Sequence, residues 1–186
     1  MIGKEPTFTY WDTPTTRIFE GVEVKGRPTR GFGDSEFEYA GKLYKPEPWT
    51  KEMAKIKRLA EDIMQEKLKK EITFTFCLCG LYKTGDVSIP HHSDTLPTLN
   101  DYVLGISFGA PRILEWNQYH YQIKNRINTS NINLIYKEKF VTTTQYLLED
   151  GDVFIFDGHS QMESTHAIPP IRKSNERISL TFRSGL

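Results

Sequence analysis

The chain has 186 residues, of which 38% are hydrophobic and 12% aromatic, and its 24 basic and 24 acidic side chains give a formal net charge of zero. This composition excludes an intrinsically disordered chain, which would combine few aromatic residues with a large net charge. The zero net charge argues against a strongly basic, non-specific nucleic-acid binder, while a local basic patch stays compatible with it. We expect one domain over residues 1–186 and a monomeric protein.

Signals for membrane insertion or export are not found in the sequence. No run of about 18 apolar residues occurs, and Met1–Trp11 lacks a basic stretch followed by an apolar one. Cys77 and Cys79 are the only cysteines. They are interpreted as two small buried side chains on one face of a strand, because zinc would need two further soft ligands. We therefore expect an intracellular protein, in the cytoplasm or nucleus, with no membrane partner.

The first part of the chain, residues 1–48, is divided by prolines and glycines into short segments. This pattern favours short strands and turns over helix. The prolines are Pro6, Pro14, Pro28, Pro46 and Pro48, and the glycines include Gly26, Gly31, Gly33 and Gly41.

One helix is predicted, over Lys51–Lys69. Thr50 is a suitable N-cap, and Glu52 places a negative charge in the first turn. Apolar residues recur at helical spacing, with Lys and Glu on the other faces. These apolar residues are Met53, Ile56, Ala60 and Ile63. We expect segment 49–70 to be an amphipathic helix that covers and supports a core.

After residue 71 the pattern changes to short strands separated by turns. The predicted strands are Ile72–Leu78, Leu104–Phe108, Ile113–Trp116, Thr142–Leu147, Val153–Phe156 and Ile178–Phe182. One helix followed by many short strands predicts a mainly β (α+β) sandwich or jelly-roll barrel. The polar segment 117–140 fits either an extended hairpin or a mobile insertion.

A possible metal site begins with His92 and Asp94. Two positions apart on an extended segment, their side chains point the same way and can meet one metal ion. His91 also precedes the aspartate, but without the two-residue offset. A third ligand must come from a distant strand, and chemistry alone does not choose among the remaining histidines. They are His120, His159 and His166.

The last predicted strand carries a second chemical signal. Arg177, Ser179, Thr181 and Arg183 alternate with apolar residues and so share one face. The face is either an ordinary solvated one or a receptor for a dicarboxylate, because guanidinium groups pair bidentately with carboxylates. Two histidines and one carboxylate would leave open positions on Fe(II) for a 2-oxo acid and dioxygen. Together the two signals predict an Fe(II)-dependent oxygenase.

From about Arg27 to Arg183 the chain resembles the AlkB family of nucleic-acid dealkylases. The stretch from Tyr82 to Asp94 is similar to the family's Tyr-x-x-Gly-x-x-x-Ile-x-x-His-x-Asp, and this register selects His92 over His91. The motif His-x-Ile-x-Pro selects His166 over His159. Two further blocks resemble the family's Ser-Phe-Gly-x-x-Arg turn and its Arg-x-Asn-x-Thr-x-Arg strand. They are Ile106 to Arg112 and Arg177 to Arg183.

The resemblance implies a fold and a set of roles. The fold would be a double-stranded β-helix (jelly-roll) oxygenase core over residues 71–186, with a β-rich nucleotide-recognition lid over residues 1–48. Fe(II) would be held by His92, Asp94 and His166. The cosubstrate 2-oxoglutarate would be held by Tyr82, Arg177, Thr181 and Arg183. In the lid, Phe37 and Tyr39 would sandwich an extruded base.

The implied function is oxidative demethylation of N-alkylated bases in DNA or RNA, as in repair of alkylation damage, with Fe(II), 2-oxoglutarate and dioxygen. Three positions depart from the family pattern: Gly80 and Ser179 replace asparagines, and Leu96 replaces an acidic residue near the base. Leu96 motivates an alternative substrate, namely a protein, lipid or small molecule. Gly80 motivates a third reading, a non-catalytic nucleic-acid-binding module. Phe19 lies where some family members carry a base-displacing residue.

Overall fold

The computed structural model describes residues 11–12, 16–19, 22–34, 36–39, 42–94, 100–128 and 133–184. The strands are Thr16–Phe19 (β1), Val22–Lys25 (β2), Thr29–Gly33 (β3), Phe37–Tyr39 (β4), Lys42–Tyr44 (β5), Phe76–Tyr82 (β6), Ile89–His92 (β7), Tyr102–Gly109 (β8), Arg112–Asn128 (β9), Asn133–Leu148 (β10), Val153–Asp157 (β11), Ser164–Ile168 (β12) and Arg177–Arg183 (β13). The helices are Lys51–Leu68 (α1) and Gly158–Glu163 (α2).

Two antiparallel sheets dominate the structure. One has the order β11-β8-β13-β6-β3, and the other has the order β10-β9-β12-β7. From β6 onward the chain passes repeatedly between the two sheets, so neighbours within a sheet are seldom neighbours in sequence. This interleaving is the double-stranded β-helix, and the predicted mainly β jelly roll is confirmed.

Helix α1 covers the outer face of the five-stranded sheet. It begins where the Thr50 hydroxyl accepts a hydrogen bond from the Met53 backbone N–H, and it ends at Lys69, whose φ is 55°. The predicted range was therefore right up to its last residue, which is the C-cap. Met53, Ala60 and Met64 are fully buried against the sheet. The spacing of these apolar residues explains both the helix and the face that it buries.

The two faces of β13 divide the molecule chemically. Ile178, Leu180 and Phe182 belong to the core under α1, where Cys77 and Cys79 of β6 are also completely buried as free thiols. The polar residues of β13 lie on the opposite face, which looks toward the second sheet. The sequence alternation thus separates a hydrophobic layer from the layer that contains the candidate site.

Strand β6 starts later than predicted, at Phe76 rather than Ile72. The start of the strand is set by where its neighbouring strands end, and the β-propensity of residues 72–75 does not extend it. Phe76 pairs with Arg183, the last residue of β13, so no neighbouring strand continues beyond this point. Phe74 is nevertheless buried, and its backbone N–H donates to Glu61 of helix α1.

The polar segment 117–140 belongs to a long hairpin. Strands β9 and β10 pair continuously from Arg112 opposite Leu148 to Asn128 opposite Asn133, with one irregularity near Tyr136. The hairpin alternative is therefore the one that the structure shows. Strand β10 lies at the edge of its sheet, and β9 contacts β12 on its other side.

The N-terminal region contributes two hairpins, β1-β2 and β4-β5, and the strand β3. Strand β3 pairs with β6, with Thr29 opposite Gly80, so it extends the five-stranded sheet. Phe37 and Tyr39 lie in β4, but their side chains, like that of Phe19, lie outside the described part of the structure. Leu96 also lies outside it. In the part of the chain that is described, no helix combines the length and the apolarity needed to cross a membrane.

Candidate active site

A cluster of potential metal ligands lies between the two sheets. His92 ends β7 and is paired directly with His166 of β12, while Asp94 follows β7 by two residues. Each of the three side chains offers one ligand atom, and these atoms all lie within 4.8 Å of one another. His92 Nε2 lies 3.7 Å from Asp94 Oδ1, and His166 Nε2 lies 4.0 Å from Asp94 Oδ2. Two strands distant in sequence thus bring one compact donor set together.

Neighbouring groups fix the orientation of these side chains. His92 Nδ1 lies 2.8 Å from the Pro90 carbonyl oxygen, which can only accept. The ring proton is therefore on Nδ1, and the Nε2 lone pair faces the cluster. The Asp94 backbone N–H donates to Gln161 Oε1 at 2.8 Å, which ties the aspartate to helix α2. The His166 ring packs against Trp116 and Phe156.

The protonation states suit a divalent cation. Burial favours a raised pKa for Asp94, but the positive charge of Arg183 and the two nearby imidazoles outweigh it and lower the pKa to about 2. Burial, with His92 beside it, lowers the pKa of His166 to about 3. Burial likewise lowers the pKa of His92, against the opposing charge of Asp94. At neutral pH the set is one carboxylate and two neutral imidazoles, which is the state that metal binding requires.

The alternative histidines point elsewhere. His91 Nε2 lies 2.9 Å from Glu115 Oε1 on the other face of β7. His120 stacks on Phe140 in the long hairpin, and His159 is exposed in α2. Of the histidines considered as possible metal ligands, the structure therefore places only His92 and His166 next to Asp94.

The buried guanidinium of Arg177 lies on the site-facing side of β13. The residue is 1% exposed, and its Nη2 donates to Ser107 Oγ at 2.8 Å. Its Nε and Nη1 have no hydrogen-bond partner among the described residues. Tyr82, which pairs directly with Arg177, places its ring centroid 4.9 Å from the guanidinium carbon. A buried cation with two open N–H groups is costly unless an anion completes it.

The remaining predicted contacts lie along the same face. Arg183 Nη2 forms an ion pair with Asp94 Oδ2 at 3.1 Å, so this arginine links the metal cluster to β13. Thr181 lies between Arg177 and Arg183 and is half-buried. The face thus runs from an open guanidinium at one end to the ligand cluster at the other.

These residues fit the groups that the sequence implies. Two imidazoles and one carboxylate suit Fe(II) and related divalent metals. The open N–H groups of Arg177 suit carboxylate oxygens as acceptors. The fit rests on the donor set and on the unpaired buried nitrogens.

Three residues near the site were not foreseen in these roles. Arg112 is 1% exposed and donates to the carbonyl oxygens of Thr84, Val87 and Pro169. Gln161 holds the Asp94 backbone, and Arg27 approaches Tyr82. The Ser-Phe-Gly-x-x-Arg block was a signal for Arg112, whereas neither of the other two belongs to a motif.

A groove of about 840 Å³ lies between the β9-β10 hairpin and helix α2. Gln161, which lines the groove, accepts the hydrogen bond from the Asp94 backbone N–H. Tyr119 and Thr165 also line it, but they contact each other, and Thr165 contacts His91 on the opposite face of the sheet. The outer walls of the groove carry exposed aromatic and cationic side chains. These are Tyr121, Phe140 and Lys139, with Lys139 Nζ 3.8 Å from the ring centroid of Tyr119.

Comparisons with known proteins agree with this geometry. A family model described as 2OG-Fe(II) oxygenase superfamily matches residues 9–183. The chain is 26% identical over 162 residues to "Alpha-ketoglutarate-dependent dioxygenase alkB homolog 3" of Rattus norvegicus, covering 85% of this chain and 50% of that protein. It is also 26% identical over 153 residues to "Uncharacterized protein R406" of Acanthamoeba polyphaga mimivirus, covering 81% of this chain and 67% of that protein. The chain thus spans about half the length of the rat protein and about two thirds of the viral one.

Proposed function

The chain belongs to the 2OG-Fe(II) oxygenase superfamily, and on that premise we propose that it is an Fe(II)- and 2-oxoglutarate-dependent dioxygenase that demethylates N-alkylated bases in DNA or RNA. The observation that carries the proposal is the pairing of two features on facing sheets. A cluster of two histidines and one aspartate lies beside an arginine face, and the deepest guanidinium of that face has two open N–H groups.

In this proposal His92, Asp94 and His166 hold Fe(II). With 2-oxoglutarate and dioxygen, the metal supplies an oxidation that turns an N-methyl group into an N-hydroxymethyl group, releases succinate and carbon dioxide, and leaves a product that sheds formaldehyde. The protein keeps the His92 proton on Nδ1 through the Pro90 carbonyl, so that Nε2 stays free for the metal. Trp116 stacks its ring on that of His166, which restricts the orientation of this ligand.

The arginine face holds the cosubstrate in the same proposal. The guanidinium of Arg177 donates to the distal carboxylate of 2-oxoglutarate, beside Tyr82. Arg183 approaches the carboxylate nearer the metal, and Thr181 lies between them. Because Arg183 already contacts Asp94, it also stabilises the ionised form of that ligand.

Nucleic acid is the substrate class that the surroundings of the site favour. The groove, which adjoins Asp94 through Gln161, carries exposed aromatic rings and a lysine together with Glu163, and single-stranded bases stack on such rings while phosphates pair with such a lysine. The similarity to a protein named as an alkB homolog supports the same class. We further propose one oxygenase domain over residues 1–186, with residues 1–48 as a lid in which Phe37 and Tyr39 contact the base.

A screen of oligonucleotides tests the proposal. DNA and RNA carrying methylated adenine or cytosine, single- and double-stranded, are incubated with Fe(II) and 2-oxoglutarate, and the loss of the methyl group and the formaldehyde formed are measured. We expect demethylation of at least one substrate, and none with His166→Ala. Turnover of 2-oxoglutarate without demethylation of any oligonucleotide would refute the substrate, and stimulation by protein extract would then identify the alternative class.

A further inference from the structure

The absence of a side chain at Gly80 makes room for Arg27. Gly80 lies in the middle of β6, opposite Ser179 of β13 and Thr29 of β3, so a side chain here would point to the cosubstrate face. A Cβ atom added to Gly80 would collide with Arg27 Nε and would lie 2.9 Å from its Cδ. Any larger residue at position 80 therefore displaces the arginine.

Arg27 reaches the same ring as the proposed cosubstrate arginine. Its guanidinium carbon lies 5.5 Å from the ring centroid of Tyr82, compared with 4.9 Å for Arg177. The Nε of Arg27 is buried and has no hydrogen-bond partner among the described residues. Three guanidinium groups thus lie against one buried ring, because the guanidinium carbon of Arg112 is 5.3 Å from the same centroid, and each has a buried N–H group without a partner among the described residues.

Positive charge accumulates beside the Tyr82 ring. Burial is the main cause that lowers the pKa of Arg177, and the positive charges of Arg112 and Arg27 lower it further. Within the described part of the chain, neither Arg27 nor Arg177 forms an ion pair with a carboxylate. Buried like charges repel unless an anion joins them. A dianion such as 2-oxoglutarate would remove this imbalance.

We propose that Arg27 is a further 2-oxoglutarate-binding residue, which donates its Nε–H to the bound dicarboxylate, and that Gly80 is required because it admits this side chain. This inference rests on the proposed function, since it needs the cosubstrate to bind against Arg177. The inference also explains Gly80. This residue has no side chain that could contact the cosubstrate, and the side chain of Arg27, which precedes β3, occupies the space instead.

The test measures binding of 2-oxoglutarate to the full chain loaded with Mn(II), by titration calorimetry, so that no turnover occurs. Arg27→Met should weaken binding about tenfold, because one hydrogen bond to a charged group is lost. Gly80→Ala should weaken it similarly by displacing the arginine. The double variant should be no weaker than the weaker single variant, because both changes remove the same contact.

Controls separate a lost contact from a damaged fold. Arg30→Met removes the nearby arginine that pairs with Glu47, and should leave 2-oxoglutarate affinity unchanged. Circular dichroism and Mn(II) affinity should match the wild type in every variant. If Arg27→Met does not fold, Arg27→Lys replaces it, with an expected loss of several-fold because the Nε–H donor is absent.

The outcomes are distinct. Wild-type affinity in Arg27→Met or Arg27→Lys, with binding weakened about 100-fold in Arg177→Met, overturns the inference and leaves the proposed function standing. Fully additive losses for Arg27→Met and Gly80→Ala overturn the coupling between the two residues. Failure of the Mn(II)-loaded wild type to bind 2-oxoglutarate overturns the proposed function itself.

Discussion

Replacing Arg177 by methionine should weaken cosubstrate binding about 100-fold while leaving the empty protein at least as stable. The guanidinium is 1% exposed and leaves two N–H groups without a partner among the described residues. Hydrogen bonds between charged groups contribute about 1.5 kcal/mol each at the low end, so losing two costs about 3 kcal/mol. The dissociation constant for 2-oxoglutarate should therefore rise about 100-fold.

The empty protein should respond in the opposite direction. Methionine removes a buried charge that no anion pairs with, which is stabilising, and loses the bond from Nη2 to Ser107, which is destabilising. We expect a net gain of about 1 kcal/mol in the free energy of unfolding for Arg177→Met. Few substitutions of a buried polar residue raise stability, so the sign is diagnostic of a binding residue.

Chemical denaturation with Mn(II), with and without 2-oxoglutarate, measures both effects. At a ligand concentration 100 times the wild-type dissociation constant, the wild type should gain about 2.7 kcal/mol and Arg177→Met about 0.4 kcal/mol. Arg112→Met is the matched control. That arginine is equally buried but donates to three backbone carbonyls, so its loss should lower the stability of the empty protein by about 2–4 kcal/mol, whereas the loss of Arg177 should raise it. Unchanged affinity in Arg177→Met would refute the reasoning.

Three other outcomes are expected. His166→Ala should weaken divalent-metal binding at least about 100-fold, measured as metal retained after dialysis, whereas His159→Ala, at an exposed position in α2, should retain it. Tyr121→Ala should weaken binding of a single-stranded oligonucleotide by about 1–3 kcal/mol in a fluorescence titration. Tyr146 is 51% exposed on the same hairpin but lies outside the groove, so Tyr146→Ala should leave oligonucleotide binding unchanged. Equal losses in the two variants would argue against specific binding in the groove. The hydrogen bond from Arg30 lowers the pKa of Glu47, so its stabilisation is present at neutral pH and is lost as the pH falls through that lowered pKa. Because that carboxylate is 43% exposed, Glu47→Gln should cost only about 0.5–1 kcal/mol at pH 7 in urea denaturation, and a cost that persists once the pH is below the lowered pKa of Glu47 would contradict the ionic explanation.

Local patterns were sufficient to predict much of the architecture. The helix over Lys51–Lys69 followed from its cap and from the spacing of its apolar residues. The alternation in Arg177–Arg183 separated the core face from the site face. The start of β6 was misplaced because strand propensity does not show where a partner strand ends, and here that end is set by Arg183. For the same reason, residues 117–140 could not be assigned from their composition.

The ligand cluster required information that local patterns do not contain. His92 and Asp94 were linked by the two-residue period of a strand, but the choice of His166 depended on a family resemblance. In the structure, that choice corresponds to the direct pairing of β12 with β7. Arg27 could not be placed at all, because only the pairing of β3 with β6 brings it to Gly80.

The pairing of His92 with His166 has a further consequence for local opening of the protein. Strand β7 is short and lies at the edge of its sheet, where its recorded partners in β12 are His166 and Ile168, opposite His92 and Ile89. An edge strand held by so few partners should fray readily. A metal ion bound by both histidines would cross-link β7 to β12 through the side chains of His92 and His166. Amide hydrogen exchange in β7 should therefore slow when metal is added, whereas exchange in the distant helix α1 should not change.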